Sequence, residues 1–170
     1  MSNVWFTSDL HLGHTGTAVR FRNFPDVHSH DGEILYTLSQ YVKSRDTLWV
    51  LGDLSFTKEG VDSILQVATR GRLRFVRGNH DVYPTALYND VFSEIHGMVK
   101  YKGMWLTHCP IHPQELFGKI NMHGHIHKDC ATVNLGYPYI NVNWDFWERP
   151  VNLEEIKQMI KNEEVVYDKP

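Results

Sequence analysis

Three short runs rich in β-branched and aromatic residues, residues 3–8, 47–51 and 72–76, each stop at a polar cluster, and amphipathic segments separate them. The first ends at Asp9, the second at Gly52-Asp53 and the third at Gly78-Asn79-His80-Asp81. Between them, Ile34, Leu35, Leu38, Tyr41 and Val42 recur on one helical face behind a cap at Ser29 or Asp31, and Val61, Ile64, Leu65 and Ala68 repeat the pattern. Strand, helix, strand, helix, strand is the signature of an α/β fold. In such folds ligands bind beyond the carboxyl ends of the strands, where these polar clusters fall.

The second half has less helix. Residues 99–101 and 104–107 flank Lys102-Gly103 as a hairpin, and residues 119–122 and 139–142 read as further strands of a second sheet. Asn152 caps a last helix carrying Glu155, Leu153, Ile156, Met159 and Ile160, and residues 164–167 suggest an edge strand. No repeat, low-complexity tract or linker interrupts the chain, so residues 1–170 are expected to form a single domain around one shared core. A net charge of −3 gives no support for coating nucleic acid, and no stretch approaches the roughly 20 apolar residues of a membrane span. Without a signal-peptide pattern, the expected location is the cytoplasm. Cys109 and Cys130 make no C-x-x-C pair, so neither a disulfide framework nor a cysteine-based zinc or redox site is expected.

Eleven histidines against two cysteines is the compositional anomaly. They gather in ordered clusters: Asp9-Leu10-His11 with His14 behind it, Gly52-Asp53, Gly78-Asn79-His80-Asp81, Thr107-His108, and Gly124-His125-Ile126-His127. Any one of these alone reads more readily as a turn or a polar strand face; the set of them points to chemistry. In extended chain, side chains two apart point the same way, so Asp9 with His11, and His125 with His127, could share a metal. Glycine at 52, 78 and 124 allows backbone to turn tightly beside charge. Carboxylates, an amide and several imidazoles suit Mn²⁺, Fe²⁺, Co²⁺, Ni²⁺ or Zn²⁺ better than Ca²⁺. The donors are also too many for a single tetrahedral zinc.

The order D-x-H, G-D, G-N-H-D, H, G-H-x-H across Asp9 to His127 resembles the signature of the calcineurin-like metallophosphoesterases. The opening FTSDLHLGH and the stretch INVNWDFWERPVNLEEI resemble small members from bacteria and their phages. The resemblance implies a four-layer α-β-β-α sandwich. It also implies two divalent ions, Mn²⁺ foremost, with Asp9, His11 and His127 at one, Asn79, His108 and His125 at the other, and Asp53 bridging. His80 corresponds to the family's catalytic histidine, with Asp81 a candidate to hydrogen-bond its ring. His14 and His123 could support the site from the pocket or behind the ligands, although a packed strand position suits His123 better. His28, His30, His96 and His112 read as surface or loop residues. The basic run Arg70, Arg72, Arg74 and Arg77 reads as a solvated face, and Trp5, Trp49 and Trp144 read as core.

The implied activity is phosphate-ester hydrolysis by a hydroxide bridging the two metals. The G-D-x-x-D-R-G extension of protein phosphatases and dinucleotide tetraphosphatases is missing, since Gly52-Asp53 runs on into Leu54-Ser55-Phe56-Thr57-Lys58. The short stretch after His127 leaves little room for a repair nuclease's capping domain. The expected substrate is therefore a small phosphodiester such as a cyclic nucleotide, with phosphomonoesters second and a nucleic-acid polymer not expected. A non-catalytic scaffold on the same fold and a structural zinc site are the readings of other classes. Retention of every ligand position argues against the scaffold.

Overall fold

The computed structural model describes residues 2–67, 72–128 and 138–162. A five-stranded sheet has the order β4-β3-β2-β1-β9, formed by β1 (Val4–Thr7), β2 (Thr47–Val50), β3 (Arg72–Val76), β4 (Glu94–His96) and β9 (Val151–Asn152). β1 to β4 are parallel and β9 runs antiparallel to β1. A four-stranded sheet orders β5 (Met98–Tyr101), β6 (Met104–Thr107), β7 (Asn121–His123) and β8 (Tyr139–Asn141), with β5 and β6 joined as the expected hairpin through Lys102 and Gly103 at positive φ. The helices are α1 (Val27–Tyr41), α2 (Lys58–Ser63), α3 (Thr85–Asn89), α4 (Trp144–Trp147) and α5 (Leu153–Asn162). No helix among the described residues is long and apolar enough to cross a membrane.

Strand alternation sorts the core into two layers. Leu48, Val50, Leu73 and Phe75 pack with Ile34 and Leu38 of α1, Val61 of α2 and Tyr88 of α3. From the same strands, Trp49 and Val76, with Phe6 and Leu51, face Met104, Leu106, Met122, Ile140 and Val142 across the gap between the sheets. A strand buried on both faces reads as a continuous apolar run, as β2 does, whereas β3 alternates Arg72 and Arg74 with buried Leu73 and Phe75. α5 adds Leu153, Ile156 and Met159 to the intersheet layer. The result is two packed sheets flanked by helices; of the tryptophans expected in the core, Trp49 and Trp144 are buried there, whereas Trp5 is half-buried against its edge.

Several local expectations shift. α1 begins a turn earlier than expected, capped by Asp26, whose carboxylate accepts from Ser29 N–H at 2.7 Å. Asp31 instead accepts from Gly13 N–H at 2.8 Å, tying the helix to the loop after β1. The second amphipathic segment relaxes into a 3₁₀ turn at Ile64–Gln66. Its expected Ala68, along with Arg70 and the edge strand at 164–167, lies outside the described residues. Arg74 and Arg77 are not merely solvated: Arg74 pairs with Glu94 at 2.9 Å, and Arg77 donates to the carbonyls of Asp81 and Tyr83.

Candidate dinuclear metal centre

The motif loops meet where the two sheets come together, at the carboxyl ends of β1, β2, β3 and β6 and just beyond β7. A parallel bridge from Ser8 to Asn143 joins the sheets there. The loop after β1 hydrogen-bonds to the loop after β2: Asp9 N–H donates to Gly52 O at 2.9 Å and His11 N–H to Asp53 O at 3.0 Å. Asp9 and His11 are not in extended chain as expected. Both, like Asp53 and His125, adopt left-handed backbone with φ between 51° and 67°, a conformation that non-glycine residues hold only where surrounding structure enforces it. The turn still brings Asp9 and His11 together, with His11 Nε2 at 3.9 Å from Asp9 Oδ1 and 3.8 Å from Asp53 Oδ2. The left-handed turn at His125 separates it from His127, so the two serve different neighbours rather than one.

His127 Nε2 lies 3.3 Å from His11 Nε2 and 3.6 Å from Asp9 Oδ1. His125 Nδ1 lies 3.2 Å from His108 Nε2, which is 3.0 Å from Asn79 Oδ1 and 3.4 Å from Asp53 Oδ1. Asp53 stands between the groups, reached from one side by His11 and from the other by His108. The seven side chains thus gather into two groups that meet at Asp53. His108 Nδ1–H donates to Leu51 O at 2.9 Å and His127 Nδ1–H to Asp145 Oδ2 at 2.5 Å. These bonds leave Nε2 of both rings aimed inward, towards the other donor atoms of the site. Ring nitrogens and oxygens converging at such separations hold either a shared proton or a cation between them. The spacings of 3.2 and 3.3 Å match the roughly 3.3 Å edge expected between two nitrogens each about 2.0–2.1 Å from one ion. Ligand atoms of Asp9, His11 and His127, and of Asp9, Asp53 and His108, fall within 4.8 Å of one another. The residues present fit two divalent ions.

The electrostatics express the same demand. Burial pushes the Asp9 carboxyl above its usual range. Burial opposes charge on the His108 ring, yet the hydrogen bond to Asp53 and the Asp9 and Asp53 charges outweigh it and raise that imidazole to about 9. A proton there occupies the place of a cation. Close approach is part of the construction. A Cβ at Gly78 would lie 2.2 Å from Asp53 Oδ1, and one at Gly124 would lie 2.2 Å from Asp9 Oδ2.

The remaining expected residues separate by role. His80 is exposed, its N–H donating to Asp53 Oδ1 at 2.9 Å and its ring centroid 5.8 Å from that of His11. Asp81 does not meet the His80 ring as expected. Its buried carboxylate accepts from the N–H groups of Gly78, Asp53 and Leu54 at 2.7–3.0 Å, because the turn at Gly78 folds it back under the β2 loop, so it shapes that loop. His14 stacks on Phe56 at 4.0 Å between centroids, and its Nδ1 meets Thr17 Oγ1 at 2.6 Å. His123 is fully buried in β7, its Nδ1 against Gly124 O at 2.8 Å, and burial lowers its pKa to about 4.

His30 departs from its surface reading: it is fully buried. Its Nε2 meets Arg22 Nη1 at 2.8 Å and its Nδ1 meets Asp31 at 2.7 Å. Arg22 also donates to Leu10 O, Asp9 O and Asp145 Oδ1 at 2.6–2.9 Å. A relay thus runs from α1 through Arg22 and Asp145 to the His127 ring. Asp145 lay within the quoted C-terminal resemblance; Arg22, in a segment without periodicity, carried no sequence signal.

The calcineurin-like phosphoesterase sequence profile matches residues 2–166. The chain belongs to the calcineurin-like phosphoesterase family. Metal-dependent phosphoester hydrolysis is this family's chemistry. The Gene 66 proteins of Mycobacterium phages L5 and D29 are each 30% identical, covering 95% of this chain and 96% and 98% of theirs. Among solved structures, a protein of unknown function from Aquifex aeolicus superposes with a TM-score of 0.72 at 23% identity, covering 94% of this chain and all of that one. The Pseudomonas putida nuclease MPE shares the fold at a TM-score of 0.51 and 17% identity, over 73% of this chain and 61% of its own.

Proposed function

We propose that this calcineurin-like phosphoesterase is a phosphodiesterase acting on small molecules such as cyclic nucleotides, at a centre held by Asp9, His11, Asp53, Asn79, His108, His125 and His127. Two divalent ions, Mn²⁺ foremost and Fe²⁺, Co²⁺, Ni²⁺ or Zn²⁺ as alternatives, would supply Lewis acidity toward the phosphoryl oxygens and lower the pKa of the attacking water. His80 donates a proton to the departing oxygen, its position fixed by the bond from its own N–H to Asp53. Asp81 holds the loops carrying Asn79 and Asp53 in register.

The diester preference rests on what surrounds the centre. The rings of His14, Phe56 and His80 lie 5.4–5.9 Å from that of His11. Burial and the neighbouring His80 lower the His14 pKa, so His14 is neutral at pH 7. Arg22 and Arg77, which flank the motif loops, are both tied to backbone carbonyls. Neither guanidinium is therefore free to add a bidentate contact to a phosphomonoester dianion, whereas a diester monoanion carrying an apolar group suits an aromatic wall. The test is a panel of aryl monoesters, aryl diesters, and 2′,3′- and 3′,5′-cyclic nucleotides with each metal. Higher kcat/KM on diesters is expected; faster turnover of monoesters would replace this reading with a phosphomonoesterase, and no turnover on any ester with metal bound would favour a scaffold.

A further inference from the structure

We propose that Cys109 is a thiolate donor to the metal position built by His108 and His125, which makes that half of the centre a mixed imidazole and thiolate site. The inference rests on the dinuclear reading above and adds to it a soft ligand that the ordered motifs do not contain.

The ligand atoms of His108, Cys109 and His125 all fall within 4.8 Å of one another. A zinc ion with bonds of about 2.0–2.1 Å to nitrogen and about 2.3 Å to sulfur sets nitrogen-to-sulfur separations near 3.6 Å in a tetrahedron. Closing from at most 4.8 Å takes a movement no larger than about 1 Å, and both Cys109 and His125 are exposed side chains able to make it. His108 is the fixed point, buried and held through Nδ1 by Leu51 O.

The backbone at Cys109 is tied to the buried core. Its carbonyl accepts from Thr107 Oγ1 at 2.7 Å, and that hydroxyl accepts from Asn121 Nδ2 at 2.9 Å. Asn121 Oδ1 in turn accepts from Ile111 N–H at 2.9 Å, closing a bracket around the Cys109-Pro110 bend. The bracket fixes the Cys109 backbone, and its free thiol lies beside the two imidazoles. A thiolate favours Zn²⁺ and Co²⁺ over Mn²⁺, which would give the two halves of the centre different metal preferences.

The experiment loads the full chain with Co²⁺ and follows the near-ultraviolet thiolate-to-cobalt charge-transfer band. Zn²⁺ protection of Cys109 from iodoacetamide is measured in parallel, by mass spectrometry of the Cys109 peptide. The band is expected in the wild type and in Cys130→Ser, and absent in Cys109→Ser. Zn²⁺ is expected to slow alkylation at Cys109 on the order of tenfold or more. Cobalt bound at two ions per chain without the band, or alkylation at the same rate with and without Zn²⁺, overturns the thiolate assignment and leaves the dinuclear reading intact. A wild type that binds no cobalt overturns both.

Discussion

Replacing Asp145 with Asn removes one charge and little volume, and isolates the link between Arg22 and the His127 ring. Burial works against the ionised Asp145 carboxyl, yet the hydrogen bond from His127 and the Arg22 guanidinium overcome it and hold its pKa at about 2. Against an ordinary value of 3.8, that difference amounts to about 2 kcal/mol of folding stability. The carboxylate is only 18% exposed, so screening removes a small part of it. The folded pKa is the lower one, so the contribution is present above about pH 4 and fades as pH falls toward 2. Burial opposes charge on the His127 ring, yet the same contact outweighs it and raises that imidazole, so the pair counts once. Asp145→Asn, metal-free at pH 6, should therefore lower the urea midpoint on the order of 1 M for an m-value near 2 kcal/mol/M. The gap should narrow as pH is lowered from 5 toward 3. In the holo-protein the variant should bind the ion at Asp9, His11 and His127 about 10–100-fold more weakly, measured by chelator competition. Equal urea midpoints for wild type and variant at pH 6 would refute the reasoning.

Three further substitutions probe the centre. His80→Ala should reduce kcat on the order of 10²–10⁴ while metal content by elemental analysis stays at the wild-type value; a fall in metal content would make His80 a ligand instead. Asp53→Ala should abolish both ions and activity together, and retained occupancy of two ions would remove its bridging role. Gly124→Ala should expel the Asp9 carboxylate, because the new Cβ meets both Asp9 Oδ2 and Ser8 Oγ at 2.2 Å. Metal affinity should then drop at least tenfold by titration, whereas Gly97→Ala, with no atom within 4 Å of its added Cβ, leaves it unchanged.

Much of the centre was legible because metal ligands sit on short, ordered motifs at strand ends, and strands buried on both faces announce themselves. β3 falls on the expected residues, and the hairpin at Lys102-Gly103 and the cap at Asn152 follow from local turn and capping chemistry. What local pattern could not carry was side-chain direction in left-handed backbone. Two-residue spacing suggested that His125 and His127 act together, and the positive φ at His125 splits them. Asp81 was misplaced for a different reason, since the turn from Gly78 to Asp81 directs its carboxylate to backbone N–H groups of its own loop and of the loop after β2. His30 and Arg22 were invisible because their roles depend on contacts between α1, the loop after β1 and Asp145, separated along the chain by up to 123 residues.

The central claim is that these seven side chains hold two ions bridged by Asp53, and anomalous diffraction from crystals grown with Mn²⁺ measures it directly. Two peaks about 3.5–4 Å apart are expected, one beside Asp9, His11 and His127, the other beside Asn79, His108 and His125, with an Asp53 oxygen between them. A single peak, or peaks away from these residues, would contradict it.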